Sequence, residues 1–277
     1  MCSLRSWTAA LVLGGLSCSL PALANGIFTG PVSAYYLTDS NNNNIYVVQG
    51  NKVINTFPMA YGTTRGEWPI AISGDNVRTI GPELSQPGGS YTLNGTPTGA
   101  TFWNVMPGEF GDGTSDGVHN YTVPMTSGFS PVYATELNWS NPRILFALPT
   151  GPHEGITYDK DDNSIWVGTY GYVSTLLEEY SLSGSLLSMF PTQVPTMMTA
   201  LSYDPQDHTL WFSVYGTNIL EQYSTTGVHL QEGIPTGLPA GVFYGGEQVA
   251  PEPGSLSLLG LGGVLIWCGR LRRHAKQ

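Results

Sequence analysis

Two stretches of this 277-residue chain, 45 residues apart, are written to one pattern. Gly155-Ile156-Thr157-Tyr158-Asp159 is followed, six residues after the aspartate, by Ile165-Trp166-Val167. Ala200-Leu201-Ser202-Tyr203-Asp204 is followed at the same step by Leu210-Trp211-Phe212. Short apolar runs on either side of a polar turn make paired strands, the aspartate accepting hydrogen bonds from the turn backbone and the tryptophan packing between sheets. A third copy is read near the start, where Leu37-Thr38-Asp39 precedes the Asn41–Asn44 loop and Ile45-Tyr46-Val47. The downstream half of the unit recurs as well. Leu177-Glu178-Glu179-Tyr180-Ser181-Leu182-Ser183-Gly184 is answered by Leu220-Glu221-Gln222-Tyr223-Ser224-Thr225-Thr226-Gly227, each a strand running into a Ser-x-x-Gly hairpin turn.

Each unit closes on an apolar residue and a proline: Phe57-Pro58, Met106-Pro107, Leu148-Pro149, Phe190-Pro191 and Ile234-Pro235, at steps of 49, 42, 42 and 44 residues. Four strands per 40 to 50 residues is the period of a β-propeller blade. No long amphipathic helix interrupts residues 25–250, where Gly, Pro, Asn, Ser and Thr recur every few positions. The expected fold is therefore all-β, a β-propeller of about five or six four-stranded blades. A β-sandwich with duplicated hairpins stays open as the alternative. Ala240-Gly241-Val242-Phe243-Tyr244 reads as the innermost strand of one more unit, either closing the ring against the first or beginning a sixth blade. Segment 81–117, with nine glycines and little alternation, reads as a long insertion. The repeat resembles the blades of NHL and gluconolactonase-like propellers in general layout.

Both ends of the chain read as addresses. Arg5 supplies a positive start, Trp7 to Leu16 an apolar segment, and Ala22-Leu23-Ala24 a small-residue cleavage site, giving a mature start at Asn25. Cys18 would suit a lipoprotein signal, but Gly15 stands where that motif wants Leu. At the other end Pro251-Glu252-Pro253 heads an apolar run from Gly254 to Gly269, closed by Arg270, Arg272 and Arg273. The prolines cannot continue a ladder or helix and leave an extended, accessible site. The run makes roughly 24 Å of helix, slightly short of a hydrocarbon core, and the basic end holds to the cytoplasmic side. These three parts resemble the PEP-CTERM sorting signal. That resemblance implies a Gram-negative exported protein that passes through the export translocon, anchors in the inner membrane and is processed by an exosortase-type membrane protease. It also implies a cell-surface or extracellular-matrix destination and an association with exopolysaccharide. The expected division is 1–24 signal peptide, 25–250 β-propeller-like domain and 251–277 sorting signal, with a transmembrane segment at 254–269.

With those ends removed, five basic residues (Lys52, Arg65, Arg78, Arg143, Lys160) face 19 acidic ones, a balance of about −14. Such a surface repels nucleic acid and anionic lipid and attracts cations. Cys2, Cys18 and Cys268 all lie in the end segments, so residues 25–250 have no disulfide, thiol nucleophile or thiolate metal site.

Propeller sites form at the mouth of the central channel, where the innermost strands begin. Glu67, Asp116 and Glu154 are read at such starts and could together hold Ca²⁺ or another hard cation. In lactonase-like propellers such a metal polarises a lactone, with His119 or His153 as base. The bland reading makes them solvated loop carboxylates. Asp159 to Ser164 looks briefly like a calcium loop but lacks its glycine and closing glutamate, and reads as a plain hairpin turn. Trp68, Trp139, Tyr170 and Tyr172 could stack on sugar rings or pack between blades. No P-loop or His-Glu-x-x-His is present, and no Ser-His-Asp set is legible. The sequence thus points to a non-catalytic binding scaffold with no cofactor, with a metal-dependent lactonase-like hydrolase as the alternative.

Overall fold

The computed structural model describes residues 27–249, apart from 64, 126, 127, 150, 170–174 and 195. The signal peptide with Ala22, Ala24 and Asn25, the Pro251-Glu252-Pro253 motif, the anchor and Arg270, Arg272 and Arg273 lie outside the described residues. Among the described residues no helix is long and apolar enough to cross a membrane.

In chain order the strands are β1 (Ala34–Asp39), β2 (Asn44–Gln49), β3 (Lys52–Pro58), β4 (Ile70–Ser73), β5 (Asn76–Thr79), β6 (Pro87–Thr92) and β7 (Pro97–Trp103). They continue with β8 (Phe110–Ser115), β9 (His119–Pro124), β10 (Ser130–Glu136), β11 (Arg143–Leu148), β12 (His153–Asp159), β13 (Ser164–Thr169), β14 (Leu176–Ser181) and β15 (Leu186–Pro191). The last are β16 (Met198–Asp204), β17 (Thr209–Val214), β18 (Leu220–Ser224), β19 (His229–Gly233) and β20 (Phe243–Val249). They form five four-stranded antiparallel sheets: β20-β1-β2-β3, β4 to β7, β8 to β11, β12 to β15 and β16 to β19. These are the blades, numbered 1 to 5 in that order. The protein is a five-bladed β-propeller.

Blade 1 takes its innermost strand from the far end of the domain, with Tyr36 opposite Glu247 and Leu37 opposite Gly246. The segment around Phe243 therefore closes the ring and begins no sixth blade. That closure shifts the phase of the first repeat. Asp39 ends the second strand of its blade, whereas Asp159 and Asp204 end the innermost strands of theirs. The Asp39 turn accordingly lies at the opposite end of the ring from the other two, although all three aspartates accept a turn N–H at 2.9 Å. Segment 81–117 is no insertion: it holds β6, β7 and β8, with glycines where strands pack too closely for a Cβ. The apolar-proline pairs close the outermost strands at Phe57-Pro58, Leu148-Pro149 and Phe190-Pro191, while Ile234-Pro235 follows β19 directly and Met106-Pro107 lies beyond the end of β7 at Trp103.

Alternation along each strand sends neighbouring side chains into different inter-blade layers. Trp166 packs with Phe190, Leu201 and Phe212 between blades 4 and 5, while Ile165 and Val167 pack with Val132 and Phe146 between blades 3 and 4. Trp211 joins Tyr35 and Tyr46 between blades 5 and 1. The recurrent tryptophan of the repeat is thus an inter-blade wedge. Truncating a fully buried aromatic of this kind costs about 3–5 kcal/mol.

Four of the five innermost strands carry a β-bulge at a corresponding place. The register slips between Phe110 and Gly113 in β8, His153 and Ile156 in β12, Thr199 and Ser202 in β16, and Phe243 and Gly246 in β20. Only β4 pairs with its neighbour without a slip. A bulge leaves one residue out of the ladder and re-aims its backbone groups. Here they turn toward the ring axis.

Candidate functional site

Asp112 occupies the axis. Its Oδ1 accepts the backbone N–H of Gly113 and Gly246, each at 2.8 Å. Its Oδ2 accepts those of Ile156 at 3.1 Å and Leu201 at 2.8 Å. The bulges of β12, β16 and β20 supply three of these donors, and the bulge of β8 supplies the carboxylate. Burial pushes the Asp112 carboxyl well above its ordinary range, and the four N–H donors pull it back. Each of these four partners is a backbone donor, so the side chain serves as an acceptor at both oxygens. Sequence reasoning passed over Asp112, because its partners stand 44, 89 and 134 residues away.

The three carboxylates expected to converge on a metal are not brought together. Glu67, fully buried, accepts N–H groups of Tyr61 at 2.8 Å and Gly62 at 2.7 Å, the Tyr91 hydroxyl at 2.9 Å and the Thr79 hydroxyl. It braces the loop ahead of β4 and has no oxygen turned to the channel mouth. Asp116 lies in the turn after β8, at the far end of the ring from Glu67 and Glu154. It accepts N–H groups of Val118 and His119 at 2.7 and 2.6 Å and the Tyr121 hydroxyl at 2.5 Å. Burial alone would raise its pKa, but the hydrogen bonds from Tyr121 and the turn outweigh it and hold the group below the usual range. The sequence pattern misplaced Asp116 because β9, the second strand of its blade, starts with the same apolar cadence as an innermost strand. His119 shares that far end, where its Nε2 stands 3.2 Å from an Arg143 nitrogen.

Glu154 does reach the mouth, as the second residue of β12. It is buried, its Oε1 has no hydrogen-bond partner, and burial and then the charge of Glu109 raise its pKa to about 8. His153 beside it is held down to about 4 by burial. A Cβ placed on Gly111 of β8 would meet Met125 Sδ at 2.8 Å, Glu154 Cγ at 3.4 Å and Tyr244 Cδ1 at 3.4 Å, so these side chains converge over that glycine. Tyr244 stacks on Trp68 with ring centroids 4.0 Å apart and planes at 20°. Tyr215, 41 % exposed, lies beyond it at 6.1 Å. On the other side of Trp68 the Arg65 guanidinium stands 5.0 Å from the ring and pairs with Glu83 and, at 2.6 Å, with Glu109. The mouth thus carries a stacked Trp68–Tyr244 pair with Tyr215 tilted at 58° to Tyr244, flanked by acidic groups and floored by the Asp112 plug.

Of the aromatics read as sugar-stacking candidates, Trp68 and Trp139 are buried, and Tyr170 and Tyr172 lie outside the described residues. Tyr215 and Tyr244 were missed. Elsewhere, Asp159, Asp162 and Glu179 cluster within 4.8 Å, as do Glu221, His229 and Glu232. Burial and then Glu232 raise the Glu221 carboxyl to about 8.

Residues 249–273 match the PEP-CTERM protein-sorting motif. No curated protein sequence matches the chain. Among solved structures, a chain of a nidogen/laminin complex aligns at 11 % identity and TM-score 0.50, covering 78 % of this chain and 97 % of that one. Myxococcus xanthus glutaminyl cyclase aligns at 10 % identity and TM-score 0.46, covering 82 % and 90 %. A streptogramin B lyase aligns at 16 % identity and TM-score 0.46, covering 75 % and 70 %. At 11 % identity the likeness to the first of these is one of fold alone. The chain carries a PEP-CTERM sorting motif behind a five-bladed propeller, and the motif implies an exported protein, anchored in a membrane before sorting and processed by exosortase.

Proposed function

We propose that this protein is a non-catalytic binding scaffold of the cell surface or extracellular matrix, and that its ring mouth holds a neutral carbohydrate polymer of the exopolysaccharide type. In this reading residues 1–24 are removed after translocation, residues 25–250 form the working domain, and 251–277 deliver it. The observation that carries the proposal is the exposed Tyr215 beside Tyr244, itself held by stacking on buried Trp68, at the open end of a ring whose axis is filled. Flat, rigid aromatic faces beside hydrogen-bonding carboxyls suit a sugar ring, which has an apolar face and a polar edge. The acidic balance of residues 25–250 argues for a neutral polymer over an acidic one. The test is affinity electrophoresis of the full chain, in mild detergent, through gels containing neutral or acidic polysaccharides. Retardation by a neutral polymer that Tyr215→Ala and Tyr244→Ala both reduce supports the reading. Equal mobility in every gel sinks it.

A second reading, hydrolysis at the same mouth, has Glu154 behind it. A carboxyl that titrates near 8 holds its proton at neutral pH and could act as a general acid. A lactone and ester screen in which Glu154→Gln abolishes turnover would promote it above the scaffold.

A further inference from the structure

Away from the mouth, the outer rim of blade 5 carries a different kind of group. β18 and β19 place Glu221 opposite Glu232 and, past a bulge, Tyr223 opposite His229. One donor atom from each of Glu221, His229 and Glu232 lies within 4.8 Å of the other two. The Glu221 and His229 side chains keep only 7 % and 9 % of their exposure, while Glu232 is open to solvent. His229 Nε2 stands 2.8 Å from Glu221 Oε2 yet off the hydrogen-bond direction, so this buried nitrogen has no hydrogen-bond partner. An orphaned buried polar atom calls for an explanation. On the other face of the same hairpin the polar groups are matched, Gln231 donating to Gln222 at 2.6 Å and to Thr29 at 3.0 Å.

Two donors bound tetrahedrally to one Zn²⁺ at about 2.0–2.2 Å stand roughly 3.3–3.6 Å from each other. Glu221 and His229, 2.8 Å apart, need only a small side-chain separation to admit the ion, and the Tyr223 ring, with its centroid 5.0 Å from that of His229, packs beside the imidazole. We propose that Glu221, His229 and Glu232 form a binding site for a divalent transition-metal ion of the Zn²⁺ class. One imidazole nitrogen with two carboxylate oxygens suits a borderline cation, whereas Ca²⁺ takes six or more oxygens. Glu232 closes on the ion from the solvent side, leaving room there for water or an outside donor. The ion ties β19, the outermost strand, to β18. The Asp159, Asp162 and Glu179 cluster does not compare. Its donors are all oxygen, and Asp159 and Glu179 already accept hydrogen bonds from the Asp161 N–H at 2.9 Å and the Ser164 hydroxyl at 2.7 Å.

The test uses the full chain without a histidine tag, extracted in mild detergent, stripped with a chelator and dialysed against Zn²⁺. One retained equivalent by elemental analysis and a higher Tm are expected. His229→Gln and Glu232→Gln should each weaken retention at least tenfold with an unchanged circular dichroism spectrum, and Asp162→Asn should retain the ion. Glu232 is exposed, so Glu232→Gln decides alone if His229→Gln does not fold. Zn²⁺ retention no greater than a blank, or retention that these substitutions leave unchanged, overturns the site.

Discussion

Asp112 Oδ2 accepts the backbone N–H of Leu201 at 2.8 Å, joining the innermost strands of blades 3 and 5 across the ring. With the bonds from Gly246 and Ile156, one carboxylate from blade 3 is shared with blades 1, 4 and 5. A five-bladed ring is narrow, and this one is stitched at its axis by a side chain. The bulges make that possible, since a regular ladder would spend those N–H groups on the neighbouring strand.

Replacing Asp112 strands donors in a place water cannot fill. Each buried N–H left unpaired costs about 1–3 kcal/mol, and Asn at this position would turn its own NH₂ toward N–H groups. With the amide oxygen still serving one pair of donors and the NH₂ facing the other, Asp112→Asn should therefore destabilise the domain by about 2–4 kcal/mol. The check is the urea midpoint at constant slope. A loss under about 1 kcal/mol would show that the axial bonds add little beyond those made in unfolding.

The pH dependence follows from two neighbours of opposite sign. His153 titrates near 4 when folded against 6.5 ordinarily, so the unfolded chain binds more protons between those values and stability rises with pH there. Glu154 holds its proton to about 8 against 4.5, so stability falls as pH climbs through that window. The two oppose each other up to about 6.5; above it His153 no longer contributes, and Glu154 acts with the same sign as the other buried carboxyls, Glu221, Asp112 and Glu247. Tm should fall between about pH 6.5 and 8. Glu154→Gln should flatten that fall and be the more stable protein at about pH 8, on the order of 4 kcal/mol, since the shift from 4.5 to about 8 is worth about 1.4 kcal/mol per unit and the group is half protonated there. A parent Tm rising over that range would contradict the assignment.

How much of this was legible beforehand depends on distance along the chain. The Trp166 and Trp211 copies could be read because each hairpin is local and both are the first two strands of a blade. The Asp39 copy misled because hairpins look alike wherever they sit in a blade, and only the pairing of β1 with β20 fixes its place. Asp116 was misplaced for the same reason. Asp112 and the Tyr215–Tyr244 pair depend on strands that meet only when the ring closes. The one local hint was the Gly111-Asp112-Gly113 run, an acid flanked by residues that leave space.

Ring closure makes its own demand on β20. A Cβ on Gly246 would stand 2.5 Å from the Ala200 carbonyl oxygen, and one on Gly245 would collide with the Trp68 carbonyl. The strand is squeezed between backbone on both sides, so neither neighbour can yield as a side chain would. Gly246→Ala should cost about 3 kcal/mol, the upper range for overpacking. Gly128→Ala, with nothing within 4 Å, should stay within about 0.5 kcal/mol of the parent. Equal melting curves for the two variants would refute the squeeze.

Tyr215 separates binding from stability at the mouth. Its ring is 41 % exposed and lies 6.1 Å from Tyr244, while Tyr244 is committed to Trp68 at 4.0 Å. Removing Tyr215 takes away an outer face and little of the core, so Tyr215→Ala should unfold within about 0.5 kcal/mol of the parent. If a sugar ring stacks there, the lost contact is worth about 1.4 kcal/mol, a tenfold weaker hold on a neutral polysaccharide. Tyr244→Ala should lose binding and stability together, because it also unstacks Trp68. The pair of variants, compared in the same gels and the same melts, distinguishes a binding face from a packing face. Weaker binding only in proportion to lost stability would mean that these rings are packing, and the mouth would lose its claim as the site.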